Sequence, residues 1–142
     1  MRSNICISFL SICIVLASCE SDDATPTTAA NDDFDTTTAT LLRTGMWMGN
    51  SSYRVSGTAE IYESAGQRYL LLTDFQSSNG PDLRVYLSVD SRATSFVHLG
   101  RLKSTNGRQL YEIPSQTDVE QFKFALIWCQ EFAVLFGKSE TN

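Results

Sequence analysis

The chain from Leu41 onward predicts an all-β domain, a sandwich or barrel of about eight short antiparallel strands. Two observations carry that prediction. Apolar residues recur with a period of two rather than 3.6, the mark of strands with one face buried. Turn-forming residues also break the chain at short, regular intervals, as in sandwiches and barrels.

The elements follow in order. Tyr53, Val55, Gly57, Ala59 and Ile61 alternate with polar neighbours and predict a half-buried strand. Ser64-Ala65-Gly66 is turn chemistry. Tyr69-Leu70-Leu71-Leu72 is apolar on both sides, as in a strand covered on both faces. Asn79-Gly80-Pro81-Asp82 breaks the chain, with Asp82 expected to bond its own backbone. Leu83, Val85, Leu87 and Val89 alternate again. Phe96–Leu99 and Leu110–Ile113 predict short strands either side of a turn at Asn106-Gly107. Thr117 to Glu120 has the composition of a capped helical turn. Phe122–Cys129 and Phe132–Phe136 flank Gln130-Glu131 and predict a closing hairpin. About a hundred residues suffice for a core without disulfides.

Ahead of this domain (41–142) lie two segments of different character. Ile5 to Ser18 is apolar or small and follows Arg2. That is too short to span a bilayer, which takes about 20 residues, but it suits a signal-peptide core. Leu16-Ala17-Ser18-Cys19 resembles a bacterial lipobox, in which the leader (1–18) is removed and Cys19 is lipidated. Such lipidation gives stable membrane anchoring. Residues 19–40 are acidic and Thr-rich with one large apolar side chain, Phe34, and predict a disordered tether. Glu20, Asp22 and Asp23 resemble a surface-export signal of Bacteroidetes lipoproteins, and Asp35-Thr36-Thr37 an O-glycosylation acceptor of that group. The expected location is the bacterial cell envelope, at the outer membrane or cell surface.

Charge narrows the function classes. With Arg2 removed, ten of the 11 basic residues face 16 acidic ones, a net of −6. A duplex binder needs a basic face, so nucleic acid is not an expected partner. There is no phosphate loop, dinucleotide fingerprint, G-x-S-x-G or calcium loop, and the carboxylates are scattered. A stand-alone enzyme finds no support.

One thiol remains for redox chemistry. Cys6 and Cys13 leave with the leader and Cys19 carries lipid, so the exported domain owns Cys129 alone. Alternation in its strand puts Phe122, Phe124, Leu126 and Trp128 on one face, expected to be the core. Cys129 falls on the lighter face at the hairpin tip, a place that permits partial exposure. The commoner role of such a cysteine is to fill a small space in a core, yet an unpaired thiol in an exported protein calls for explanation. His98 is the single histidine and, with Cys129, falls short of the four ligands of a structural zinc site; no metal is expected. Covalent haem lacks its Cys-x-x-Cys-His motif, whereas non-covalent haem on Cys129, His98, Met46 or Met48 is chemically allowed.

The order of motifs is informative. Tyr53 to Ile61, Leu72-Thr73-Asp74-Phe75, Asn79-Gly80-Pro81-Asp82-Leu83-Arg84-Val85-Tyr86-Leu87-Ser88, Leu99 to Lys103, Gly107 to Pro114 and Ile127-Trp128-Cys129-Gln130-Glu131-Phe132 together resemble the DM-thirteen electron-transfer domain over about residues 45–137. The resemblance implies an all-β fold and singles out Cys129 as the functional residue, a bare thiol or the ligand of a prosthetic group such as haem. His98 stands where an acidic or polar residue is expected. The partner implied is an envelope or cell-surface redox protein. A second function class is a non-enzymatic binding or adhesion module, for which Trp47 and Tyr86 are candidate surface aromatics.

Overall fold

The structure, a computed structural model, describes residues 24–142 and is all-β, with no helix among them. The leader, Cys19 and Glu20 to Asp23 lie outside the described residues. Ten strands run in chain order: β1 Ala30–Asn31, β2 Thr40–Met46, β3 Met48–Gly49, β4 Val55–Ser64, β5 Gln67–Ser77, β6 Leu83–Ser88, β7 Phe96–Arg101, β8 Asn106–Ile113, β9 Phe124–Cys129 and β10 Val134–Glu140. They form two five-stranded sheets, ordered β1-β8-β5-β4-β2 and β3-β10-β9-β6-β7. All pairs are antiparallel except β1 with β8.

Between the sheets lies one core. The first sheet contributes Ala59, Ile61, Leu70, Leu72, Tyr111 and Ile113, the second Leu83, Val85, Leu87, Ala125, Ile127 and Phe136. These are alternate residues of their strands, as a pleated sheet with one inward face requires. The chain crosses between sheets at Trp47, whose buried indole meets Phe75 edge-on at 5.6 Å. At the opposite margin, Thr44 and Asn142 exchange backbone hydrogen bonds of 3.0 and 3.2 Å, tying β2 to the C-terminal residues. Gln109 is the largest fully buried polar side chain, and it is satisfied: its amide donates to Ser104 O and accepts from Tyr111 Oη, each at 2.8 Å. Burial, chiefly, pushes the Tyr111 phenol far above its usual range.

Two expectations need correction. Residues 24–40, read as disordered, pack on the domain. Thr25 is buried, Thr105 N–H donates to Pro26 O at 2.9 Å, and Ser104 Oγ donates to Thr28 O at 2.7 Å. Asp32 pairs with Lys103, and Phe34 packs between Tyr62 and Tyr69 with ring centroids 5.6 and 5.3 Å away. Composition missed this because the segment contributes backbone groups rather than apolar mass. Asn106-Gly107, read as a turn, begins β8 and seats β1. Gly107 has φ +102°, and a Cβ there would stand 2.2 Å from Ala30 O, so only glycine permits this approach. The capped turn expected at Thr117 to Glu120 is present: the Asp118 carboxylate accepts the Glu120 N–H at 3.0 Å and the Asp118 carbonyl accepts the Phe122 N–H at 2.9 Å.

Candidate functional site around Cys129

Cys129 closes β9. In register it faces Leu83 of β6 on one side and Val134 of β10 on the other. It is fully buried and belongs to the apolar core, with Ala125 and Ile127 of its own strand. This reverses the facing expected of β9: Phe124, Leu126 and Trp128 point outward, and the small residues point in. Side-chain size misled because the outer face has its own aromatic cover. Tyr86 stacks on Phe96 at 4.2 Å and lies 6.3 Å from Trp128 at 25° between planes.

What covers the sulfur is a loop. The S–H donates to Pro81 O at 3.0 Å. Pro81 belongs to the Asn79-Gly80-Pro81-Asp82 break, which is held at each residue. The Gly80 N–H donates to Asn79 Oδ1 at 2.8 Å. Gly80 lies on the Phe136 ring so closely that a Cβ would stand 2.7 Å from it. Asp82 adopts φ +53°, and its carbonyl accepts the Gln130 N–H at 3.1 Å. Its carboxylate binds Arg84 Nε at 2.5 Å and approaches Arg101 Nη2 at 3.4 Å, rather than bonding its own backbone as expected. The Arg84 hydrogen bond, against opposing burial, holds the Asp82 carboxyl below the usual carboxylate range.

Over the loop passes the N-terminal segment. Ala24 forms an antiparallel bridge with Pro81, and Asn79 Nδ2 donates to Thr25 O at 3.2 Å. Cys129 therefore lies beneath a loop whose outer edge is held by the segment. The Arg84–Asp82 pair depends on the left-handed φ at Asp82 just before β6, which the chain does not announce. The part played by Thr25 was not legible either, because its contact is through a backbone oxygen.

The other predicted residues lie elsewhere. His98 is exposed on β7, edge-on to Tyr86 at 5.4 Å. Tyr86 faces outward and Leu83 inward, so His98 and Cys129 occupy opposite faces of one sheet. Met46 and Met48 are 71% and 57% exposed, and Met48 faces Lys138, four positions along β10 from Val134. Trp47 and Tyr86, the candidates for a surface patch, are each only 4% exposed, the packed state that is the commoner one for such side chains; the exposed phenylalanines among the described residues are Phe96 and Phe132.

A haem at Cys129 does not fit these residues. An axial ligand needs open space at the sulfur, and here the Pro81 carbonyl occupies that direction. Neither His98 nor a methionine stands opposite. Among the described residues no three His, Cys, Asp or Glu side chains gather as metal ligands.

The family model described as electron transfer DM13 matches residues 48–140. The chain belongs to the DM13 family. That match takes in every strand of both sheets except β1 and β2, and with it Cys129 and the loop above it. No curated protein and no solved structure matches the chain. As a DM13 domain it has an electron-transfer-related function carried on a β-sandwich. The segment over the loop, Ala24 to Asn31, lies outside the matched region.

Proposed function

We propose that this DM13 domain is an electron-transfer accessory module of the bacterial cell envelope, anchored by lipid on Cys19, with Cys129 as a shielded redox thiol. The observation that carries this reading is the cover over Cys129. The sulfur's hydrogen bond goes to Pro81, and the loop that carries Pro81 is held chiefly by hydrogen bonds at its margin: Ala24 bridges Pro81, the Asn79 side chain binds Thr25 O and the Gly80 N–H, and Gln130 N–H donates to Asp82 O. Local openings of that kind occur well below the cost of global unfolding. When the loop lifts, the Cys129 thiol loses its proton to solvent and its sulfur attacks a disulfide of an envelope partner. A mixed disulfide forms and the partner's leaving sulfur takes up a proton. A second partner thiol then releases Cys129, and the electrons have passed between partner sulfurs. A thiol kept covered between encounters is also spared irreversible oxidation in an oxidising compartment.

The test is mixed-disulfide formation on native protein. Reduced protein incubated with 2-hydroxyethyl disulfide is expected to gain one adduct, absent from Cys129→Ser. An adduct seen only when the protein is unfolded rejects the redox role. For the anchor, Cys19→Ala is expected to leave the membrane fraction.

One observation favours a second reading, a binding or adhesion module: Phe96 is 46% exposed and lies with His98 over Tyr86 on the outer face of the second sheet. Such a module binds its envelope partner whether or not Cys129 is present, and Phe96→Ala abolishes the binding. Pulldowns from envelope fractions with the two variants separate the readings.

A further inference from the structure

On the outer face of the second sheet, one concavity has the chemistry of a ligand site. We infer that it binds a small aromatic anion, a planar ring bearing a carboxylate or sulfonate. The cavity is about 350 Å³ and is lined by Asn50, Arg92, Trp128, Val134, Leu135 and Lys138, among others. Small-molecule sites begin at about 300 Å³ and combine apolar walls with a few polar groups. Register sets the walls side by side: Leu135 faces Trp128 across β9 and β10. Tyr86 stacks against one side of Trp128 and fixes the indole, leaving ring surface for a planar ligand.

Charge selects the sign of the ligand. The chain carries 16 acidic residues against 11 basic, yet no Asp or Glu lines this cavity. Arg43, Arg68, Arg84, Lys103 and Lys123 each hold a carboxylate. Lys138, half-buried at the cavity wall, has no ion-pair partner among the described residues. Arg92 adds a second positive charge from the β6–β7 loop. Asp90, two residues earlier, accepts the Thr94 hydroxyl at 2.6 Å and the Arg92 N–H at 2.9 Å; the Thr94 hydrogen bond first, and the Arg92 charge among the other influences, lower its carboxyl pKa. Asn50 Nδ2 donates to Leu135 O at 3.1 Å, which secures the cavity's edge. An unpaired, partly desolvated ammonium beside an aromatic wall suits an anion that also stacks. The site stands apart from the thiol chemistry: Trp128 and Cys129 are adjacent in sequence but face opposite sides of the sheet.

The probe is 2-naphthalenesulfonate, titrated into the folded protein by calorimetry at low salt. Saturable binding is expected, weakening as salt rises. Lys138→Gln is expected to weaken it by about fivefold or more, Arg92→Gln by about twofold, and neutral 2-naphthalenemethanol to bind about tenfold less tightly. Arg92 is exposed and Lys138 half-buried, so their variants should fold; thermal unfolding checks this. Equal affinity for the neutral analogue, an unaltered affinity in the Lys138→Gln, Arg92→Gln double variant, or no saturation by about 5 mM overturns the assignment.

Discussion

Replacing Asn79 by alanine should loosen the cover over Cys129 without touching the sulfur. Asn79 is exposed, so no core contact is lost. Two hydrogen bonds are: Nδ2 to Thr25 O at 3.2 Å and Oδ1 from the Gly80 N–H at 2.8 Å. The first ties the loop to the N-terminal segment and the second stiffens the loop itself. Near solvent each contributes about 0.5–1 kcal/mol. The closed loop then loses about 1–2 kcal/mol, and the open fraction rises about 5- to 30-fold. The assay is the rate at which an aromatic disulfide reagent labels Cys129 in native protein. When the loop recloses faster than it reacts, that rate is the opening equilibrium multiplied by the rate for a free thiol. Labelling should therefore rise about 5- to 30-fold in Asn79→Ala. Global unfolding produces a similar rise, so the dependence on urea decides between them. A local opening exposes little surface and its rate stays nearly flat at low urea, whereas global unfolding follows the full unfolding slope. Labelling that climbs with that slope from zero urea, in both proteins, would refute a gating loop.

Three further outcomes follow from the same geometry. Cys129→Ser puts a hydroxyl with a shorter reach into an apolar, fully enclosed place, and should cost about 1–3 kcal/mol in urea unfolding; an unchanged midpoint contradicts the burial of this side chain. Gly107→Ala sets a Cβ against Ala30 O at a φ that favours glycine. It should lift β1, at a cost of about 1 kcal/mol or more, and open residues 24–36 to limited proteolysis; a protected segment speaks against the seating of β1. Asp82 has a folded-state pKa held below 3.8, first by Arg84. Its contribution to stability is therefore complete above that value and lost as pH falls through the lower, folded one. Urea midpoints of wild type should exceed those of Asp82→Asn at pH 7 and converge with them near pH 2; a constant gap means that the carboxylate's charge is not what stabilises the loop.

Much of the β-structure could be read from the chain, and the errors have physical causes. The strands at Val55–Ser64 and Leu83–Ser88 were legible because each alternates, as a half-buried strand requires, and Phe124–Cys129 because an apolar run stops at Gln130-Glu131. β2 was missed because it is an edge strand: Leu41 and Leu42 are exposed and Arg43 is turned to Thr141 O and Glu120. β1 was missed because two residues held by backbone bonds to β8 have no side-chain pattern. Asp82 was identified as a turn residue from Gly80-Pro81, but its pairing with Arg101 depends on β6 and β7 lying side by side.

By itself the sequence determined the fold class, most strand positions and the family-bearing motifs, with Cys129 as the domain's single thiol. These depend on local periodicity, turn chemistry and residue identity, which a linear chain carries directly. Only the tertiary structure decided which way β9 faces, that Cys129 lies beneath Pro81, and that Ala24 to Phe34 folds back across the domain. A strand's two faces are distinguished by what the neighbouring strands and the opposite sheet place against them. In β9 the heavier face is covered from outside by Tyr86, leaving the inward place to the sulfur.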